Sequence, residues 1–136
     1  MTENEIAKQI LDAAFAVHSK LGPGLLESVY EVVLAYELQK RGLTAERQKP
    51  MPIMYDNIRF DKAFRSDLVV NGKVIAELKY VEALLPVHAK QLLTQLRLSS
   101  LKLGLLINFG AAHLKNGIKR VINSHLGAEI PIEVSL

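Results

Sequence analysis

Residues 67–79 have the sequence Asp67-Leu-Val-Val-Asn71-Gly72-Lys-Val-Ile-Ala-Glu77-Leu-Lys79. Two short runs rich in β-branched residues flank Asn71-Gly72, and both turn residues tolerate positive φ angles, so the stretch predicts a β-hairpin. Side chains alternate between the faces of a strand, which places Glu77 and Lys79 on the same face. The opposite face carries a largely apolar row made of Val74, Ala76, Leu78 and Tyr80. We therefore expect the charged pair to point into a cleft.

The register of this hairpin decides whether Asp67 lies beside Glu77. A two-residue turn at Asn71-Gly72 pairs Asp67 with Ala76, which leaves the two carboxylates on opposite faces. A three-residue loop or a bulge pairs Asp67 with Glu77 on the same face. We expect the second arrangement, because two carboxylates and a lysine at one point form a chemically coherent site.

Two interpretations fit an Asp, a Glu and a Lys on neighbouring strands. Paired carboxylate oxygens suit Mg²⁺ or Mn²⁺, and a nearby lysine can orient water and offset charge on a phosphate. The same residue types also form ordinary surface ion pairs. The spacing of Asp67, Glu77 and Lys79 has low specificity and does not by itself decide between these interpretations.

Two helices are predicted before the hairpin. The first runs from the possible capping box of Thr2 and Glu5 to about residue 20 and ends at Gly22-Pro23-Gly24. The second begins near Leu25 and stops at Gly42. Its expected core residues are Leu26, Val29, Val33, Leu34 and Leu38.

The rest of the chain alternates between strands and one helix. Strands are predicted at residues 45–55, 63–70, 73–81 and 103–109, with short strands near 119–123 and 130–134. A third helix begins at Pro86 and runs to about residue 100. The order is α-α-β-β-β-α-β-(β), which predicts an α/β (α+β) fold with a mixed central sheet and helices on both sides.

Composition narrows the class of protein. A chain of 136 residues with 49% apolar side chains can form one ordinary core, so residues 1–136 are expected to be a single domain. The absence of cysteine excludes disulfide scaffolds, thiolate metal sites and cysteine nucleophiles. We see no signal peptide and no apolar run of roughly 18 residues, so we expect a cytoplasmic protein that has no membrane partner. The net charge of +3 is only weakly indicative of a polyanionic partner.

Several blocks of the sequence carry a family resemblance. Gly24-Leu-Leu-Glu27-Ser-Val-Tyr30 matches the motif of the GxxExxY proteins, and further similar blocks follow in order. They are Arg47-Gln-Lys-Pro50, Phe64-Arg-Ser-Asp67-Leu-Val-Val, Ala76-Glu77-Leu-Lys79, Gln91-Leu-Leu and Leu103-Gly-Leu-Leu-Ile-Asn-Phe109. The chain thus resembles a branch of the PD-(D/E)XK nuclease-like superfamily, which implies a restriction-endonuclease-like core.

The resemblance also implies roles for individual residues. Asp67 and Glu77 would be metal ligands, Lys79 the catalytic lysine, and Glu27 an added metal-binding carboxylate from the helix beside the site. Without the resemblance, Glu27 is explained by its place in the first turn of a helix, where a carboxylate meets the positive end of the dipole.

Three further positions bear on the rim of the site. Gln91 would be the polar residue that the third helix contributes to catalysis. Tyr30 shares a helix face with Glu27, and either lines the site or packs in the core with a satisfied hydroxyl. The chain departs from the family pattern at Gln95, where these proteins often have an aromatic residue.

The resulting hypothesis is a Mg²⁺- or Mn²⁺-dependent nuclease acting on DNA or RNA. The alternative is a catalytically inactive nuclease fold that serves as a nucleic-acid-binding or protein-interaction module. A third is metal-assisted chemistry on a small phosphorylated substrate. Because a chain of this length has little beyond the core with which to grasp a duplex, an active enzyme is expected to need a homodimer or another partner.

Overall fold

Helices and strands follow one another in the predicted order. The computed structural model describes residues 1–124 and begins with helices α1 (Glu3–Leu21) and α2 (Glu27–Lys40). Strands β1 (Ala45–Tyr55), β2 (Ile58–Val70) and β3 (Val74–Lys79) come next. They are followed by helix α3 (Pro86–Ser99), strand β4 (Leu103–Asn108), a 3-10 turn (Leu114–Gly117) and strand β5 (Ile118–Ile122). The strand predicted at residues 130–134 lies outside the described residues.

Local sequence signals explain where the helices begin and end. Thr2 and Glu5 form the predicted capping box, in which the Glu5 N–H donates to Thr2 Oγ1 at 3.2 Å and the Thr2 N–H donates to Glu5 Oε1 at 2.7 Å. Gly22 follows α1 with a φ angle of 71°, and Gly42 follows α2 with a φ angle of 87°. Both angles lie in the left-handed region that glycine adopts readily.

The five strands of residues 1–124 form one mixed sheet in the order β1-β2-β3-β4-β5. Strands β3 and β4 are parallel, and the other neighbouring pairs are antiparallel. Strand β1 lies at an edge, where Pro50 and Pro52 interrupt no central hydrogen-bond ladder. The sheet and its flanking helices confirm the predicted fold class.

Apolar layers cover both faces of the sheet. Helices α1 and α2 pack on one face against β2, β3 and β4, and α3 packs on the other. We call these layers the α1/α2 layer and the α3 layer. Strand β4 is buried along its whole length, as expected for a strand covered on both sides.

The predicted core face of α2 was partly wrong. Leu26 is 75% exposed and Val29 is 37% exposed, whereas Tyr30 is fully buried. Helix α2 begins at Glu27, so Leu26 is its N-cap and lies outside the helical repeat. The ring of Tyr30 stacks on Phe109 at a centroid distance of 4.7 Å and takes a core position.

No helix within residues 1–124 combines the length and the apolar character needed to cross a membrane.

Gly104 on β4 allows α3 to pack closely on the sheet. A Cβ atom at this position would lie 2.8 Å from Leu92 Cδ2 and 2.9 Å from Leu92 Cγ, which is too close for van der Waals contact. We expect Gly104→Ala to lower the free energy of unfolding by about 1–3 kcal/mol, the usual range for overpacking. Urea denaturation of the purified variant measures the effect.

A second substitution tests the cause of this loss. In a Leu92→Ala background the space is open, so Gly104→Ala should lower the free energy of unfolding much less than it does alone. Equal losses in the two backgrounds would show that the Leu92 contact is not responsible.

Candidate active site

Strand β3 carries Glu77 and Lys79 on the face that α3 covers. Ile75, two residues before Glu77, packs in the α3 layer, and Leu78 packs in the α1/α2 layer. Because side chains alternate along a strand, Glu77 and Lys79 belong to the α3 side. Glu77 is only 8% exposed, so its side chain is shielded from solvent.

The loop between β2 and β3 sets the position of Asp67. The strands pair Val70 with Val74 and Leu68 with Ala76, which leaves Asn71, Gly72 and Lys73 in a three-residue loop. Asn71 and Gly72 have positive φ angles of 51° and 66°. The predicted three-residue loop is therefore confirmed, and one further step in this register puts Asp67 opposite Glu77.

The Asp67 carboxylate links β2 to β3 just beyond their last residue pair, Leu68 and Ala76. Its Oδ2 accepts a hydrogen bond from the Leu78 N–H at 2.8 Å, and its Oδ1 accepts one from Gln48 Nε2 at 3.3 Å. A carboxylate that accepts a main-chain N–H is fixed to the backbone and not only to other side chains. Asp67 is thereby held beside the backbone segment that joins Glu77 to Lys79.

The Glu77 carboxyl is buried next to another acid. The pKa of Glu77 is raised from 4.5 to about 9. Burial is the largest cause, the negative charge of Asp67 and a side-chain hydrogen bond with it add to the rise, and Lys79 acts in the opposite direction. Within residues 1–124, Glu77 Oε1 is buried and has no hydrogen-bond partner. Without a compensating positive charge, the group favours its protonated form.

A surface ion pair does not describe this arrangement. The five ion pairs found within residues 1–124 involve none of Asp67, Glu77 and Lys79. The carboxyl group of Glu77 is instead removed from water, which is unfavourable unless another group compensates for it. Perturbed carboxyl groups of this kind are typical of functional sites.

Helix α2 brings a third carboxylate toward the same region. Partial burial raises the pKa of Glu27, Asp67 raises it further, and Lys79 lowers it. These influences show that Glu27 lies in the electrostatic field of Asp67 and Lys79. No group of three or more His, Asp or Glu side chains within the described part of the chain is arranged to hold a metal ion, so Glu27 as a third direct ligand remains a prediction.

The spacing of Gly24, Glu27 and Tyr30 has a structural explanation. Gly24 has a φ angle of 116°, which few other residues adopt without strain. The Tyr30 hydroxyl donates to Gly22 O at 2.6 Å and accepts from the Leu25 N–H at 3.2 Å. Tyr30 thus ties the loop to the first turn of α2 and sets where Glu27 begins the helix; its buried ring belongs to the core.

Comparison with known families identifies the architecture that holds these residues. A family model described as the PD-(D/E)XK nuclease superfamily matches residues 4–121. The chain belongs to the PD-(D/E)XK nuclease superfamily. A search of curated proteins and a search of solved structures each found no significant match.

The superfamily match includes nearly all of α1 to β5, and Gln91 lies within it on α3. Gln91 is exposed and lines a groove of about 420 Å³ between α3 and the β1–β2 hairpin. No hydrogen bond joins it to Asp67, Glu77 or Lys79 within residues 1–124. The structure therefore places Asp67, Glu77 and Lys79 on one face of the sheet, with Glu27 within the electrostatic influence of Asp67 and Lys79. It does not link Gln91 to them by a hydrogen bond.

The sequence analysis missed two residues of the hydrogen-bond network that includes Asp67. Glu31 is buried, its Oε2 accepts from Arg47 Nε at 3.1 Å, and its Oε1 accepts from Gln48 Nε2 at 2.7 Å. Glu31 could have been found, because it lies four residues after Glu27 on the same helix face. Gln48 lies within the Arg47-Gln-Lys-Pro50 block of the family resemblance, but its spacing could not show that it contacts Glu31 and Asp67, because these partners come from two distant segments.

The raised pKa of Glu77 predicts how stability depends on pH. The unfolded chain releases the Glu77 proton near pH 4.5, whereas the folded chain retains it up to about pH 9. Stability in metal-free buffer should therefore fall as the pH rises between these values, because the folded state binds more protons. Glu77→Gln removes this loss while leaving the fold intact.

We expect Glu77→Gln to melt above the wild type at pH 8 by about 4 °C or more, which corresponds to roughly 1 kcal/mol for a domain of this size. The difference should shrink by more than half at pH 5. Scanning calorimetry in EDTA measures both midpoints, with the exposed Glu46→Gln as the matched control. A difference that does not change with pH would contradict the pKa assignment.

Proposed function

We propose that this protein is a divalent-metal-dependent nuclease. The observation that carries the proposal is the buried Glu77 carboxyl, which faces Asp67 and has an oxygen without a hydrogen-bond partner. Two adjacent carboxyl groups at low exposure repel each other when both are ionised. Asp67 and Glu77 would hold a divalent cation, whose positive charge would remove this repulsion.

The side chains present fit Mg²⁺ or Mn²⁺. These hard cations prefer oxygen ligands, and Mg²⁺ is usually held by one or two carboxylates, with water and substrate phosphate completing its shell. Asp67 and Glu77 supply two such carboxylates, so a ready-made cluster of three acidic residues is not required. Glu27 approaches as a third carboxylate and adds negative charge.

The proposed reaction is hydrolysis of a phosphodiester. A bound divalent cation would stabilise the negative charge that develops on the phosphate and on the leaving oxygen. Lys79 orients the attacking water and offsets charge on the non-bridging oxygens. The water oxygen forms a bond to phosphorus as the phosphorus–oxygen ester bond breaks, which gives a phosphate monoester and a hydroxyl group.

Nucleic acid is the proposed substrate class. The support is the superfamily, whose name is that of nucleases, together with a net charge of +3 that favours a polyanion. Nothing in the sequence indicates a module that reads bases, so we propose cleavage governed by nucleic-acid structure rather than by a defined sequence.

A binding module without catalysis is the second candidate. Its support is the exposed groove beside α3, where Phe64 and Ile53 face Gln91 and could receive an unstacked base. The two candidates share the fold and differ in whether Lys79 takes part in chemistry.

Metal binding should be visible as a thermal shift. A ligand that binds only the folded state stabilises it by mass action, by about 2.7 kcal/mol at a concentration 100-fold above Kd. We expect Mn²⁺ at such a concentration to raise the melting temperature of the wild type by several degrees. Glu77→Gln should remove the shift, and the exposed Glu46→Gln should retain it. Equal shifts in wild type and Glu77→Gln would place the metal elsewhere.

Substitution of Lys79 separates the enzyme from the binding module. Lys79→Met keeps the length and the apolar stem of the side chain while removing its charge and donors. Folding and Mn²⁺ binding should survive, whereas cleavage of DNA or RNA should fall by about two or more orders of magnitude. Lys115→Met, at an exposed lysine of the 3-10 turn, is the matched control and should cleave as the wild type does.

The assay must include single- and double-stranded DNA and RNA with both metals at several protein concentrations. A wild type that binds nucleic acid and cleaves none of these substrates would reject the nuclease in favour of the binding module. Cleavage confined to nucleotides would favour the small phosphorylated substrate.

A further inference from the structure

Gln48 has an unusual backbone conformation for a residue inside a strand. Its φ angle is 52°, in the left-handed region that residues other than glycine and asparagine rarely adopt. It lies on β1 between the Arg47–Leu68 and Lys49–Ser66 pairs, directly opposite Asp67. Strained conformations of this kind persist only where surrounding contacts hold them, and they concentrate at functional sites.

The β1–β2 hairpin also changes the layer against which it packs near Gln48. Ala45 and its partner Val70 pack in the α1/α2 layer, whereas Met51 and its partner Phe64 pack in the α3 layer. Ala45 and Met51 are an even number of positions apart in the sequence, so a regular strand would place both side chains on one face. Gln48 lies between them, within the stretch of the hairpin where the packing changes layer.

The Gln48 side chain joins two acidic residues. An amide nitrogen has two hydrogens, and Nε2 donates to Glu31 Oε1 at 2.7 Å and to Asp67 Oδ1 at 3.3 Å. Glu31 is itself fixed, because it is buried and paired with Arg47 Nη2 at 3.1 Å. The shorter bond therefore anchors Gln48 to a rigid acceptor, and the longer bond extends this support to the carboxylate of the site.

We propose that Gln48 is a positioning residue for the metal site. Its amide ties the Asp67 carboxylate to the buried Glu31–Arg47 pair, and with the Leu78 N–H it fixes the orientation in which Asp67 meets a divalent cation. Groups that orient metal ligands without touching the metal commonly change its affinity by about 10–100-fold. The inference rests on the proposed function, since it assumes that Asp67 is a metal ligand.

Two substitutions separate the side-chain role from the backbone role. Gln48→Met keeps the length and the strained φ angle but has no donor, whereas Gln48→Gly removes both the donor and the strain. Ser100→Gly is the matched control, because Ser100 has a φ angle of 58° at the end of α3 and makes no contact with the site. Isothermal titration with Mn²⁺ gives Kd for each folded variant, and calorimetry in EDTA gives the melting temperature.

We expect both Gln48 variants to bind Mn²⁺ about tenfold or more weakly than the wild type. Gln48→Gly should melt above Gln48→Met, because it releases the strained backbone, and Ser100→Gly should bind Mn²⁺ as the wild type does. If Gln48 had only a structural role in β1, the two variants would show the same difference in melting temperature without any change in Kd. Wild-type Kd values in both Gln48 variants would therefore overturn the inference.

A second measurement needs no metal. If Gln48 supports Asp67, the melting-temperature shifts of Gln48→Met and Asp67→Ala should not add in the double variant, because each substitution alone removes the hydrogen bond between the two side chains. Additive melting-temperature shifts would show that the two side chains are not coupled and would overturn the inference. A wild type that binds no Mn²⁺ would reject the metal site itself, whereas binding that Gln48→Met leaves unchanged would reject only the role of Gln48.

Discussion

Two carboxyl groups are held next to each other, and one of them, that of Glu77, is almost completely removed from water. Asp67 comes from β2 and Glu77 from β3, and the pKa of Glu77 is raised to about 9, first by burial and then by Asp67. Such a pair is unfavourable when both groups are ionised, and it becomes favourable when a proton or a cation lies between them. A proton on Glu77 removes the repulsion in metal-free solution, so the divalent cation of the proposed function would have to compete with this proton.

The rest of the fold serves to keep this pair in place. The apolar layers on the two faces of the sheet hold β3 and β4 rigidly, and the three-residue loop after Val70 sets the register of β2. The Leu78 N–H then fixes Asp67, and Tyr30 fixes the loop from which Glu27 emerges. Rigid elements can hold an electrostatically unfavourable site because their apolar packing stabilises the whole domain.

The family motif therefore combines two kinds of residue. Gly24 and Tyr30 shape and anchor a loop, whereas Glu27 projects toward the acidic pair. Gln48 and Glu31 form a separate support on the other side of Asp67. In this arrangement most polar residues act on the position or charge of another carboxylate, and Lys79 takes part in none of the ion pairs within residues 1–124.

Local patterns in the sequence determined much of the fold. The capping box at Thr2, the glycines that follow two helices and the Asn71-Gly72 turn each act over a few residues, so they could be recognised without a structure. The alternation of side chains along β3 likewise predicted that Glu77 and Lys79 lie on the same face of the sheet. Only the tertiary structure decided that the β2–β3 loop has three residues, that Tyr30 rather than Leu26 is buried, and that Gln48 joins Glu31 to Asp67. These contacts join α2, β1 and β2, and their geometry depends on how whole elements pack, which no local pattern encodes.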